Sequence, residues 1–166
     1  SQCVDLFASK DKVNNVYFYG ASCSSPKLKQ RIINGLVQVF RNAEIVVDHD
    51  LLAAAYSLYE DQPLISCIIG TGSNSCYFDG ENLIEKIPAL GFVMGDEAGG
   101  GYFGKQLLSD FFYKRMPTVI QEDFEATYQL TWGEAREKIY GNIHANVYLA
   151  SFMPFIAKHK QEQYIM

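Results

Sequence analysis

No stretch of this 166-residue chain is dense in lysine and arginine, and its formal charge is −5. Nothing in that balance draws it to a phosphate backbone or an anionic membrane, so nucleic acid is not expected as a partner. Long apolar runs are missing too: the longest, such as residues 64–70, fall far short of the roughly 20 residues that span a bilayer. No membrane partner is expected. The N-terminal fifteen residues show no basic segment followed by an apolar one, so no secretory leader is read there. Cys3, Cys23, Cys67 and Cys76 form no C-x-x-C pair and are too sparse for a disulfide scaffold, which reads as reduced thiols in a cytoplasmic protein. His49, His144 and His159 are the only histidines, none at ligand spacing from a cysteine pair, so zinc is not expected. Internal repeats and low-complexity tracts are absent as well.

What is present is ample core material: 48% of residues are hydrophobic and 14% aromatic. An apolar β-rich run predicts a strand at 15–20. Ser25 as N-cap and Pro26 at the first helical position then open a helix whose face carries Leu28, Ile32, Leu36 and Phe40. A second strand at 44–47 ends in Asp48, His49 and Asp50, followed by strong helix formers. Strands at 64–69, 73–78 and 82–87, joined by a Gly-rich turn and by Asp79-Gly80, predict an antiparallel meander. From residue 98 on the pattern is helical, with an apolar stripe of Phe103, Leu107, Leu108, Phe111 and Phe112. Thr131 and Glu134 stand at capping-box spacing, and Pro154 should interrupt the last helical segment. The order is α/β, with Gln62-Pro63 as the expected boundary between domains at 1–62 and 63–166.

The stretch GDEAGGGYFGK at 95–105 contains two nucleotide-binding spacings at once. Gly99, Gly101 and Gly104 spell G-x-G-x-x-G, and Gly99, Gly104 and Lys105 spell G-x-x-x-x-G-K. Neither context fits. A P-loop needs a strand before it and Ser or Thr after the lysine, where Gln106 stands. A dinucleotide site needs a second strand beyond the helix. The plain alternative is that Gly99 to Gly101 let a helix start pass close to another backbone.

The other Gly-rich turn, Gly70, Thr71, Gly72 and Ser73, offers backbone N–H groups and hydroxyls to phosphate oxygens, although G-T-G is also an ordinary hairpin turn. Asp50 reads first as a helix N-cap, and in that place the carboxylate stays ionised and can also accept an alcohol's proton during phosphoryl transfer.

VVDHDLLAAA, IIGTGSNSCYFDG and PALGFVMGDEAGGGYFGKQLLSDF, in that order, resemble the N-acetylglucosamine kinase-like family of sugar kinases. The likeness runs from Val16 to Lys114 and more loosely beyond. That family lies in the actin/hexokinase/Hsp70 superfamily, in the branch with the BadF/BadG/BcrA/BcrD ATPases. The resemblance implies an RNase H-like ATPase fold of two domains around a cleft, with ATP and Mg²⁺ as cofactors and an amino sugar as acceptor. It implies Asp50 as general base, Gly70, Thr71, Gly72 and Ser73 at the phosphates, and Asp50, Ser73, Asn74 and Asp96 at the sugar. It leaves open a homodimer, and whether Asp48 rather than Asp50 is the base. Two family features are not found, an Asp-Gly-Gly-Gly-Thr phosphate loop and a Gly-rich adenosine loop, so the sequence is expected to be the middle of a longer protein. A Gly-Gly-Trp-Gly segment common in animal members is replaced around Ala89, Leu90 and Gly91. Two other classes stay in view: an iron–sulfur ATPase activator, whose cluster would need exposed thiolates although Cys67 and Cys76 are expected to face the core, and a catalytically silent sugar-binding protein.

Overall fold

The computed structural model describes residues 8–21, 23–141 and 144–165. Cys3 lies outside them. Strand β1 (Asn15–Gly20) pairs in parallel with β2 (Glu44–His49), Asn15 opposite Glu44 and Gly20 opposite His49. A parallel pair needs a crossover, and helix α1 (Pro26–Val39) supplies it. Ser25 caps α1 by accepting the Leu28 N–H at 3.4 Å, and Pro26 opens it, as the sequence predicts. Phe40 is buried and Ile32 and Leu36 are half-buried, whereas Leu28 stays 39% exposed at the helix start. β2 runs two residues past the expected 44–47, so Asp48 and His49 belong to the strand and Asp50 begins helix α2 (Asp50–Leu58).

Strands β3 (Leu64–Ile69), β4 (Ser73–Phe78) and β5 (Leu83–Ile84) form a second sheet in sequence order, with β4 and β5 antiparallel. The Asp79-Gly80 turn forms as expected: the Asp79 carboxylate accepts N–H groups from Glu81 at 2.9 Å and Asn82 at 2.7 Å, and Gly80 has φ +107°. The third strand is far shorter than the predicted 82–87. Cys67 is exposed, contrary to the expectation that it faces the core, while Cys76 is buried. Alternation explains this, because on β3 Ser66 is fully buried and its neighbours Ile65 and Cys67 point the other way.

The chain divides into two compact units, one of residues up to Ser66 with 76–86, the other of Cys67–Ser75 with residues from Ile87 on. The first unit packs Leu51 and Ala55 of α2 against the β1–β2 pair, and Tyr56 and Tyr59 edge-on against Phe78 at 5.6 and 5.5 Å. The second is helical outside its two strand tips: α3 (Gly91–Met94), α4 (Gly100–Phe112), α5 (Thr118–Tyr128), α6 (Trp132–Tyr140), α7 (Ala145–Ala150) and α8 (Met153–Lys158). Its core centres on Phe124, fully buried, with ring centroids at 4.5 Å to Phe111 and 5.0 Å to Phe155. Leu107, Leu108 and Phe111 of the predicted stripe join that core, and Phe103 does not, being 40% exposed. The Thr131–Glu134 capping box is present, and the last helical segment breaks at Ser151–Phe152 with Pro154 in the first turn of α8. The class is mixed α/β. Among the described residues no helix is long and apolar enough to cross a membrane.

Candidate functional site

At the end of β2 two carboxylates stand two residues apart with different surroundings. Asp48 accepts from Lys29 Nζ at 2.6 Å and from the His49 N–H at 2.7 Å. Partial burial pushes its carboxyl up, but the Lys29 hydrogen bond, the His49 amide and the Lys29 charge outweigh that and hold it below its ordinary value. Asp50, the first residue of α2, accepts only the Leu51 N–H, at 3.0 Å through Oδ1. The N-cap role that Asp50 could have filled falls to His49, whose Nδ1 accepts the same Leu51 N–H at 3.3 Å. The 3.2 Å approach of Nδ1 to Asp50 Oδ1 is therefore two acceptors sharing one donor, and becomes an ion pair only if His49 is protonated. Asp50 Oδ2 is left without a partner among the described residues. Lys29 was invisible as a participant in the sequence, because nothing local links it to a residue nineteen positions on.

The two Gly-rich stretches meet in the second unit. The first two N–H groups of α4, on Gly100 and Gly101, donate to the Gly70 and Thr71 carbonyls at 2.8 Å each. α4 has no side-chain cap, so the 70–72 turn does the capping. A methyl on Gly99 would stand 2.7 Å from the Gly72 carbonyl carbon and 2.9 Å from the Asp96 carbonyl oxygen. This close approach is why the run is glycine, and with these amides engaged the α4 start is no P-loop. The Thr71 and Gly72 amides and the Thr71 hydroxyl make no hydrogen bond among the described residues. They remain open donors.

The segment before α4 is bent tightly. Asp96 and Ala98 both take left-handed φ values, +58° and +66°, a conformation that non-glycine residues hold only when their surroundings dictate it. Ser73 is one such constraint, its hydroxyl donating to the Glu97 carbonyl at 2.5 Å, and the Gly99 N–H to Asp96 carbonyl bond at 2.9 Å is another. The bend lays the Asp96 carboxylate against Gly72, where any side chain would collide with it. Ser73, Asn74 and Asp96 line one pocket of about 370 Å³ together with Ser75, Ala89 and Leu90. Gly70, Thr71 and Gly72 sit at the turn beside it. The Ser73 proton is already committed to Glu97, so toward a ligand this hydroxyl can only accept. Sequence reading missed the Glu97 carbonyl and the strained Ala98, for which only the Gly95 and Gly99 bracketing the bend gave a hint.

Phosphate oxygens suit the open Thr71–Gly72 donors, the chemistry an ATP tail requires. Among the described residues no three His, Cys, Asp or Glu side chains cluster as a metal site. Mg²⁺ needs no such cage, since it usually keeps waters and takes one or two carboxylates plus phosphate oxygens. The exposed thiolate pair of an iron–sulfur activator is not met by Cys67 and Cys76, one exposed and one buried.

No protein-family model matches the chain, and no curated protein does. Among solved structures it is similar to a Porphyromonas gingivalis protein described provisionally as an N-acetylglucosamine kinase, with 33% identity and a TM-score of 0.90. The likeness covers 99% of this chain and 58% of that one, so the chain spans a little over half the related protein's length. The fold and the residue patterns thus agree, and the chain belongs with the N-acetylglucosamine kinase-like proteins.

Proposed function

We propose that the protein phosphorylates a hydroxyl of an amino sugar, N-acetylglucosamine or a close relative, at the expense of ATP. In this reading the chain carries parts of both domains of an RNase H-like ATPase, divided near Gln62-Pro63, and works in the cytoplasm. The observation that carries it is the turn at 70–72, whose Thr71 and Gly72 amides are open for hydrogen bonding while its Gly70 and Thr71 carbonyls hold the Gly100 and Gly101 amides, beside a pocket holding Ser73, Asn74 and Asp96. ATP with Mg²⁺ supplies the phosphoryl group and neutralises its charge. Thr71 and Gly72 donate to phosphate oxygens. Asn74 and Asp96 hold sugar hydroxyls and the acetamido group, and Ser73 anchors the Asp96 bend while accepting one hydrogen bond. Asp50 orients the attacking hydroxyl and takes its proton through Oδ2. Asp48 also has a free Oδ2 among the described residues, but its Lys29 ion pair holds its carboxyl below the ordinary value and makes it the weaker base.

The test compares Asp50→Asn with Asp48→Asn, following ADP release and sugar phosphate formation together. Losing the base should lower kcat by roughly 10²- to 10⁴-fold with sugar affinity largely kept. Asp48→Asn should retain most of the turnover. Equal losses in both variants would remove Asp50 from its assigned role. Sugar binding without ADP release by the unaltered protein would favour the silent sugar-binding reading instead.

A further inference from the structure

Lys105, the residue that completed the P-loop spacing, takes no part in the site above. It lies one helical turn beyond Gly101 and lines a separate cavity of about 480 Å³ in the second unit, bounded by α3, α4, α6 and α7. The walls are apolar and largely aromatic: Phe92, Leu108, Phe112, Trp132 and Ile139. Phe112 and Trp132 meet edge to face at 5.3 Å, leaving ring faces and edges for a third ring. The volume suits a small organic molecule. Among the described residues Lys105 is the only charged one on the lining, and its ammonium stands 5.7 Å from the Tyr102 ring centroid with no carboxylate partner.

We propose that this cavity is a second ligand site, for a small amphiphilic anion with an aromatic or alicyclic body and one carboxylate, sulfonate or phosphate group. The rings take the apolar body and remove it from water. Lys105, half-buried on the lining, meets the single charge. A nucleoside triphosphate does not fit this description, since several negative charges would face one ammonium. The proposal is independent of the kinase reading, because neither the Thr71 turn nor Asp96 contributes to the lining.

The chain contains a single tryptophan, and it is in this wall. Energy transfer from Trp132 reports a probe bound near this wall, and the Lys105 variants tie that probe to this cavity. The probe is 1-anilinonaphthalene-8-sulfonate, titrated against its uncharged relative N-phenyl-1-naphthylamine. Saturable quenching of Trp132 by one sulfonate probe per chain is expected. Lys105→Met keeps the stem and removes the charge. It should weaken the sulfonate probe roughly tenfold, with little effect on the neutral one, while Lys105→Arg retains the sulfonate affinity. Failure to quench Trp132 at one-to-one saturation overturns the proposal. So does a sulfonate affinity unchanged in Lys105→Met, provided circular dichroism shows the variant folded.

Discussion

Two aspartates separated by one residue show how fully a side chain's chemistry is set by its partners. Asp48 is held below its ordinary carboxyl value of 3.8, because the Lys29 and His49 interactions exceed the opposing effect of partial burial. A folded value below the unfolded one means the unfolded chain binds the proton first as pH falls. The stabilisation is therefore complete above 3.8 and disappears as pH drops through the folded value. Both side chains are about a third exposed, which keeps the contribution small. Urea unfolding of Lys29→Met should show a deficit near neutral pH that shrinks as pH falls below 3.8 and the wild-type Asp48 takes up its proton. A deficit independent of pH would mean that Lys29 acts through packing alone. Gly99 offers a steric counterpart. Gly99→Ala would force the Gly72 and Asp96 backbones apart, and overpacking of this kind costs about 1–3 kcal/mol. Its unfolding midpoint should fall accordingly, whereas Gly35→Ala, with open space around it in mid-helix, should leave stability unchanged or raise it.

At the scale of elements, β3 gives the sharpest prediction. Its sequence LISCII reads as one buried run, yet Ser66 is the fully buried residue, and Ile65 and Ile69 are 73% and 69% exposed. Iodoacetamide applied to the folded protein should modify Cys67 well before Cys23 and Cys76, which are both buried, as read by peptide mass spectrometry. Equal labelling of the three would show that this face of β3 is covered in solution. What the sequence revealed about elements followed local chemistry. The Ser25 cap, the Thr131–Glu134 box, the Asp79-Gly80 turn and the Pro154 break are each decided within four residues, and each is where it was expected. α5 falls in the stretch read as helical from residue 98 on, but its bounds were not legible because it lacks such marks: its N-cap is Pro117 with no side-chain hydrogen bond, and it ends on Gln129 in a left-handed conformation at φ +47°. Exposure at Leu28, Cys67 and Phe103 was equally illegible. Hydrophobicity says that a residue can be buried, and only the surrounding elements decide whether it is.

For the molecule as a whole, the short motifs carried the family likeness, and the tertiary structure supplied what no motif could. The turn at 70–72 and the glycines at 99–101 are nearly thirty residues apart, and neither spacing foretold that one caps the helix begun by the other. Nor did any pattern foretell that Ser73 spends its proton on Glu97. The proposed sugar site is testable without turnover, because a ligand that binds only the folded chain stabilises it by about 2.7 kcal/mol at a hundred times its Kd. For a chain of this length that corresponds to a rise in Tm of roughly 5–10 °C. N-acetylglucosamine should produce such a shift, and glucose, lacking the acetamido group, a smaller one at equal concentration. Asp96→Asn leaves the left-handed bend accessible, since Asn tolerates that conformation well, but it removes the carboxylate that the sugar hydroxyls would donate to. It should therefore melt near the wild-type temperature without sugar and lose most of the shift with it. If Asp96→Asn keeps the full shift, or if glucose matches N-acetylglucosamine, the pocket beside Asp96 is not the amino-sugar site.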